Sequence, residues 1–229
     1  MQEIVDADDE SSAAYNAAVL LWADDRWQAA LAYFSYAAEL GDADAVLALG
    51  RSRLWLGDVE GAVSALRPLA ASDSTLSDLA AGYLGRALLR ERAVDEAVAH
   101  LKRACAADPE FVVDLADALV KLGDNEQAES VLTRASDEGN RFAPLSLGNL
   151  HEEAGRLEEA GRLEEAELAF RRGIELGDAY SEYNLARLLW VEGRNTEAMT
   201  WLRSAAQKGD RLAIQKLAEL GVDHEAPST

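Results

Sequence analysis

The stretch Glu175-Leu-Gly-Asp-Ala-Tyr-Ser-Glu-Tyr-Asn-Leu-Ala-Arg-Leu-Leu-Trp-Val-Glu-Gly-Arg-Asn-Thr-Glu-Ala-Met-Thr-Trp-Leu-Arg-Ser-Ala-Ala206 decides the fold. A small residue, Ala186, sits in a first apolar segment, and Gly193 punctuates it. A second segment then carries Ala198, a large apolar Leu202 four residues on, and small Ala205 three after that. Apolar residues three and four apart describe one face of a helix, and glycine between two such runs marks the end of the first. The stretch therefore predicts two antiparallel helices joined by a tight turn. Small side chains let the axes approach closely, and the large residue fills the space beside them.

The same pattern recurs along the chain. Anchored on the alanine of the second helix, it appears at Ala30, Ala62, Ala97, Ala128, Ala166 and Ala198, with gaps of 32, 35, 31, 38 and 32 residues. Twelve residues before the anchor come Ala18, Gly50, Gly85, Ala116 and Ala186, with Gly148 in the fifth repeat once an insertion is allowed for. Four after it come Phe34, Leu66, Leu101, Leu132, Phe170 and Leu202; seven after it come Ala37, Leu69, Ala104, Ala135, Gly173 and Ala205. A lone helix pair cannot bury its apolar stripe, so tandem pairs stack and share a continuous core. First helices are expected near 11–24, 43–56, 75–91, 110–122, 142–154 and 179–192. Their partners are expected near 26–40, 59–72, 94–107, 125–138, 158–176 and 195–208, with a half repeat over 211–220 covering the last apolar face. Glycines at Gly57, Gly123, Gly155 and Gly193 are expected to end first helices. Residues 1–10, acidic, and 221–229 lack the period and are expected to be flexible.

The fifth repeat holds a direct duplication, Ala154-Gly-Arg-Leu-Glu-Glu159 followed by Ala160-Gly-Arg-Leu-Glu-Glu165. It accounts for the long gap, and either copy could form the turn, with Gly155 or Gly161 at its apex.

These repeats resemble the tetratricopeptide pattern, a helix–turn–helix of roughly 34 residues. The links Glu39-Leu-Gly-Asp-Ala-Asp-Ala45 and Glu175-Leu-Gly-Asp-Ala179 resemble the SEL-like branch of that superfamily, with looser copies at Lys208-Gly-Asp-Arg-Leu-Ala213 and Glu138-Gly-Asn-Arg-Phe-Ala143; the third repeat ends Asp108-Pro109, as ordinary tetratricopeptide repeats do. The resemblance spans roughly residues 11 to 220. It implies an all-α fold, a right-handed α-solenoid of six stacked helix–turn–helix repeats plus a C-terminal capping helix.

Charge limits the partners. The 229 residues carry 22 Lys and Arg against 42 Asp and Glu, a net charge of −20. So acidic a chain repels phosphate backbones and anionic membrane surfaces, which disfavours nucleic acid and membrane as partners. The single cysteine, Cys105, leaves no internal disulfide; the start carries no basic and apolar leader pattern, and no apolar run approaches a bilayer's thickness. The expected location is cytoplasmic. None of His100, His151 and His224 is paired with another histidine or with Cys105 at metal-ligand spacing, and no phosphate loop or nucleophile–base pair is recognisable. No catalytic residue, metal or cofactor is expected, and the chain is not read as an enzyme.

The resemblance implies that a partner lies along the concave surface lined by the first helices. On that surface the repeat positions place Asn16 and Trp22 in the first repeat, Arg51 and Trp55 in the second, and Tyr83 and Arg86 in the third. The fourth adds Asp114, Asp117 and Lys121, the fifth Asn149, and the sixth Tyr183, Asn184, Arg187 and Trp190. Arg51, Arg86 and Arg187 share one repeat position; they either fork a partner's carboxylate or phosphate or pair with neighbouring acids. The resemblance implies that Asn149 and Asn184 hold a ligand's backbone; the bland alternative is bridging of adjacent helices. The tryptophans are either anchors for an apolar side chain or core. The expected function is a protein- or peptide-binding scaffold, its partner carrying an acidic group, with a monomer favoured; the alternative is a self-assembling structural repeat protein.

Overall fold

A computed structural model of the chain describes residues 7–156 and 162–222. Thirteen α-helices and a single 3-10 turn make up the regular structure among these residues, with no strand. The chain divides into two compact units, Met1–Gly123 and Asp124–Thr229.

The first unit holds α1 (Ala7–Ala23), α2 (Trp27–Glu39), α3 (Ala43–Leu56), α4 (Val59–Ala70), α5 (Ser77–Arg90), α6 (Val94–Ala107) and α7 (Val112–Lys121). Each helix packs on the one before it in the chain. The second unit holds α8 (Asn125–Asp137), α9 (Ala143–Arg156), α10 (Arg162–Glu175), α11 (Ser181–Val191), α12 (Asn195–Gln207) and α13 (Arg211–Glu219), again packed in sequence order. The helices expected from the repeat are all present, with ends displaced by a few residues.

The repeat positions form the core. All six anchor alanines are fully buried, as are or nearly are Phe34, Leu66, Leu101, Leu132, Phe170 and Leu202 four residues on. Glycine at the close approach is a steric requirement in three hairpins: a Cβ on Gly50 would lie 2.4 Å from Leu66 Cγ, one on Gly85 2.5 Å from Leu101 Cγ, and one on Gly148 2.4 Å from Phe170 Cε1. The position seven after the anchor serves the junction with the next repeat. There Ala37 packs against Ala45, and a Cβ on Gly173 would lie 2.2 Å from Ser181 Oγ.

Turn chemistry fixes the hairpins. Five residues before the anchor the backbone enters the left-handed region, at Asp25, Gly57, Arg92, Gly123 and Gly193. Glycine adopts this conformation freely, whereas Asp25 and Arg92 hold it against Cβ crowding. The fifth equivalent, Gly161, lies outside the described residues. Between repeats the glycine is followed by a cap: Asp42 accepts from the Ala45 amide at 3.0 Å, Asn140 from Ala143 at 3.2 Å and Asp210 from Ala213 at 2.9 Å. These caps satisfy helix-start amides that have no partner within the helix.

Two expectations need correction. Gly155 does not end the fifth repeat's first helix, because α9 runs on to Arg156. The contact between Phe170 and Gly148 fixes where α10 must lie; residues 157–161 lie outside the described residues. The fourth repeat's first helix does not start at 110 as α-helix. Asp108 is extended before Pro109, caps the Glu110 amide at 2.8 Å, and a 3-10 turn over Pro109–Phe111 precedes α7. That turn drives Phe111 under Gly82, where a Cβ would lie 2.3 Å from Phe111 Cζ. A residue before proline is disfavoured in the α region, which sets this break.

Candidate partner-binding groove

In the first unit the first helices of successive repeats, α1, α3, α5 and α7, line a groove of about 990 Å³. The stacking of identical hairpins brings one repeat position from each helix to the same wall. Trp22, Arg51, Trp55, Tyr83 and Arg86, five of the expected site residues, all line it.

The groove has an aromatic end and an acidic end. Trp55 stands edge-on between two other indoles, with ring centroids 5.4 Å from Trp22 and 5.1 Å from Trp27, and is 62% exposed. Edge-to-face geometry is the favoured arrangement for such rings and holds Trp55 in place while leaving its surface open. At the other end lie Glu110, Asp114 and Asp117.

The three arginines of the groove differ in what they have left to offer. Arg86 is fully engaged: its Nε donates to Asp114 Oδ2 at 2.7 Å and its Nη1 to Glu110 Oε1 at 2.9 Å. Its guanidinium also lies 4.6 Å from the Phe111 ring centroid and 5.2 Å from that of Tyr83. Arg90 Nη1 donates to the Leu54 carbonyl at 2.7 Å, bracing α5 against α3. Arg51 is exposed, rests its guanidinium 4.8 Å from the Tyr83 centroid, and has no carboxylate partner among the described residues. Burial pushes the Tyr83 phenol above its usual range, against the pull of Arg51. The ring stays neutral and offers the cation its electron-rich face. Burial likewise raises the Asp114 carboxyl, opposed by Arg86.

The remaining expected residues lie elsewhere. Asn16 is exposed on α1 and does not line the groove. In the second unit Asn149 is exposed, whereas the other four are used within the fold. Arg187 forks Glu152 Oε1 and Oε2 at 2.5 and 2.6 Å, and Asn184 accepts from Arg187 at 3.2 Å while donating to the Tyr180 carbonyl at 3.0 Å. Tyr183 packs on the Ala186–Leu202 cluster and Trp190 on the Phe170–Leu185 cluster. Arg187 thus pairs with an acid of a neighbouring helix, whereas the contacts of Asn184 stay within α11 and its N-cap.

Sequence reasoning missed Glu110, Val19 and Trp27. Glu110 follows Asp108-Pro109, where the 3-10 turn swings it towards Arg86, and no repeat position signals that. Among the described residues no cluster of His, Cys, Asp and Glu could hold a metal ion, and no helix is long and apolar enough to cross a membrane.

Comparison with known proteins agrees with the helical-repeat fold. Tetratricopeptide repeat profiles match residues 47–110 and 159–213, and a second such profile matches residues 88–146. No curated protein sequence matches the chain. Among solved structures, a thermophilic tetratricopeptide protein of Thermus thermophilus, TTC0263, superposes with a TM-score of 0.59 at 24% identity, covering 79% of this chain and 99% of its own. PilF of Pseudomonas aeruginosa gives 0.68 at 17% identity over 93% of this chain and 99% of its own. A tetratricopeptide repeat protein from Parabacteroides merdae ATCC 43184 gives 0.64 at 13% identity over 86% and 79%. At these identities the likeness is one of fold.

Proposed function

Because the chain belongs to the tetratricopeptide repeat family, whose members generally mediate protein–protein interactions as scaffolds, we propose that it holds a protein or peptide partner, without catalysis, in the groove of its first unit. The observation that carries this reading is Arg51. It is the groove arginine whose fork is unspent, already poised over Tyr83, and the exposed Trp55 stands in the same groove. A guanidinium held by a ring loses little freedom when it takes up a carboxylate in a bidentate pair. The ligand is a peptide segment with a carboxylate for Arg51 and an apolar side chain for Trp55. The Glu-Leu-Gly-Asp-Ala links, with left-handed glycine and capping aspartate at Gly41 and Asp42, support placement in the SEL-like branch.

The test is a peptide display selection against the whole chain, followed by calorimetric titration of the selected peptides. Arg51→Ala and Trp55→Ala should each weaken binding at least tenfold with helicity unchanged by circular dichroism. Both side chains are exposed, so neither change disturbs the core. Arg86 is a poor choice of variant, since removing it strands Asp114. Peptides that bind both variants as tightly as the unaltered chain would remove the groove from consideration.

A further inference from the structure

A second surface of the first unit is built as a junction and is exposed among the described residues. The second repeat shows which positions face the repeat before it. Counted from the anchor, Ala45 at minus seventeen packs against Ala14 and Ala37. Leu49 at minus thirteen and Ala65 at plus three pack against Ala18, Ala30 and Phe34. The position at minus ten is covered as well: Ser52, Ala87, Ala118 and Leu188 are 8, 0, 0 and 1% exposed.

In the first repeat those four positions are Ala13, Ala17, Leu20 and Tyr33. Leu20 is 69% exposed, Tyr33 46%, and Ala13 is exposed too. Ala13, Ala17 and Leu20 follow i, i+4, i+7 spacing and so form one apolar stripe along α1. At internal junctions of this unit the element lying on such a stripe is a helix: α2 on α3, α4 on α5, α6 on α7. The shape that fits the stripe is therefore that of an amphipathic helix.

Charge identifies what kind of helix. Arg26 is the lone basic residue among the first fifty, against ten aspartates and glutamates, and Asp9, Glu10, Asp24 and Asp25 are exposed around the stripe. A second copy presenting the same face would bring like charges together, whereas a helix flanked by lysine or arginine meets complementary potential. We propose that the α1–α2 face docks a basic amphipathic helix of a partner protein, with Leu20 and Tyr33 as its apolar contacts. This site is separate from the Arg51 groove and does not depend on it.

The probe is a fluorescein-labelled eighteen-residue synthetic helix with leucine and alanine along one face and lysine on the others, titrated with the whole chain by anisotropy. Leu20→Glu is the telling variant. Attachment by charge alone would tighten with the added carboxylate, whereas docking on the stripe should weaken at least tenfold. Arg51→Ala should leave binding unchanged, and a peptide with glutamate in place of lysine should not bind. The proposal is overturned if the lysine peptide does not bind, if Leu20→Glu binds it equally or better, or if Arg51→Ala abolishes binding. It is also overturned if the chain alone sediments as a dimer that Leu20→Glu dissolves, which would make a second copy the occupant.

Discussion

The ring of Phe170 fills the space that a side chain at Gly148 would need: a Cβ there would lie 2.4 Å from Phe170 Cε1. This contact closes the fifth hairpin, and Leu66 over Gly50 and Leu101 over Gly85 close two others in the same way. Alanine in the middle of a helix gains about 1 kcal/mol over glycine in propensity. Overpacking a filled core costs about 1–3 kcal/mol. At Gly148 the neighbour is a rigid ring buried on all sides, so Gly148→Ala should be net destabilising by about 1–2 kcal/mol. At Gly50 the neighbour is a leucine that can change rotamer, and Gly50→Ala should be milder. Urea midpoints at constant m-value measure both; an unchanged midpoint for Gly148→Ala would mean that the hairpin is looser than its geometry implies.

The anchor alanines, their large partners and the small residues opposite were legible because they repeat: the same steric demand six times over leaves a period in the sequence. The duplication in the fifth repeat left the register open, since Ala160 follows the first copy as Ala166 follows the second. Packing fixes the anchor at Ala166, while the turn itself lies outside the described residues. Four residues after Ala160 stands Glu164, whereas four after Ala166 stands Phe170, and only the latter fills the space over Gly148. The arginines were harder to assign. Arg51, Arg86 and Arg187 occupy one repeat position, yet Arg86 meets Asp114 and Glu110, Arg187 meets Glu152, and Arg51 meets a ring. Which acid lies opposite depends on the neighbouring repeat's side chains and, for Glu110, on a 3-10 turn outside the period.

Arg187 and Glu152 give a prediction of their own. Glu152 is 4% exposed, and the fork from Arg187 supplies both its oxygens with donors. Breaking a buried pair by removing one partner costs about 3–5 kcal/mol, because the other charge is left in a poor solvent. Arg187→Ala should therefore destabilise the second unit by about 3 kcal/mol, and Arg187→Ala with Glu152→Leu should recover much of the loss. Chemical denaturation of the two single variants and the double variant yields the coupling. Should Arg187→Ala be silent in stability yet reduce peptide capture, Arg187 would return to the list of partner-binding residues.

The burial of His151 predicts a pH response in the second unit. The ring is 6% exposed, and its Nδ1 lies 3.2 Å from Arg162 Nη1 and 3.5 Å from Glu165 Oε2. Burial depresses its pKa below 6.5, aided by Arg162, with Glu129 and Glu165 pulling the other way. The unfolded chain then takes up a proton near pH 6.5 that the folded chain still refuses, so stability falls as pH drops below that value. The slope from one such proton is at most about 1.4 kcal/mol per pH unit. His100, also depressed by burial, acts in the same sense from α6. The carboxylates that arginines hold below 4.5, Glu96, Glu167 and Glu197, titrate under this window, whereas Asp114 of the first unit, raised by burial, acts in the opposite sense to the histidines. Leucine stands at the corresponding position in the third, fourth and sixth repeats, at Leu88, Leu119 and Leu189. His151→Leu should therefore fold and should flatten the fall in urea midpoint between about pH 7.5 and 5.5 relative to the unaltered chain. An identical slope in the variant would show that His151 takes up its proton as readily folded as unfolded.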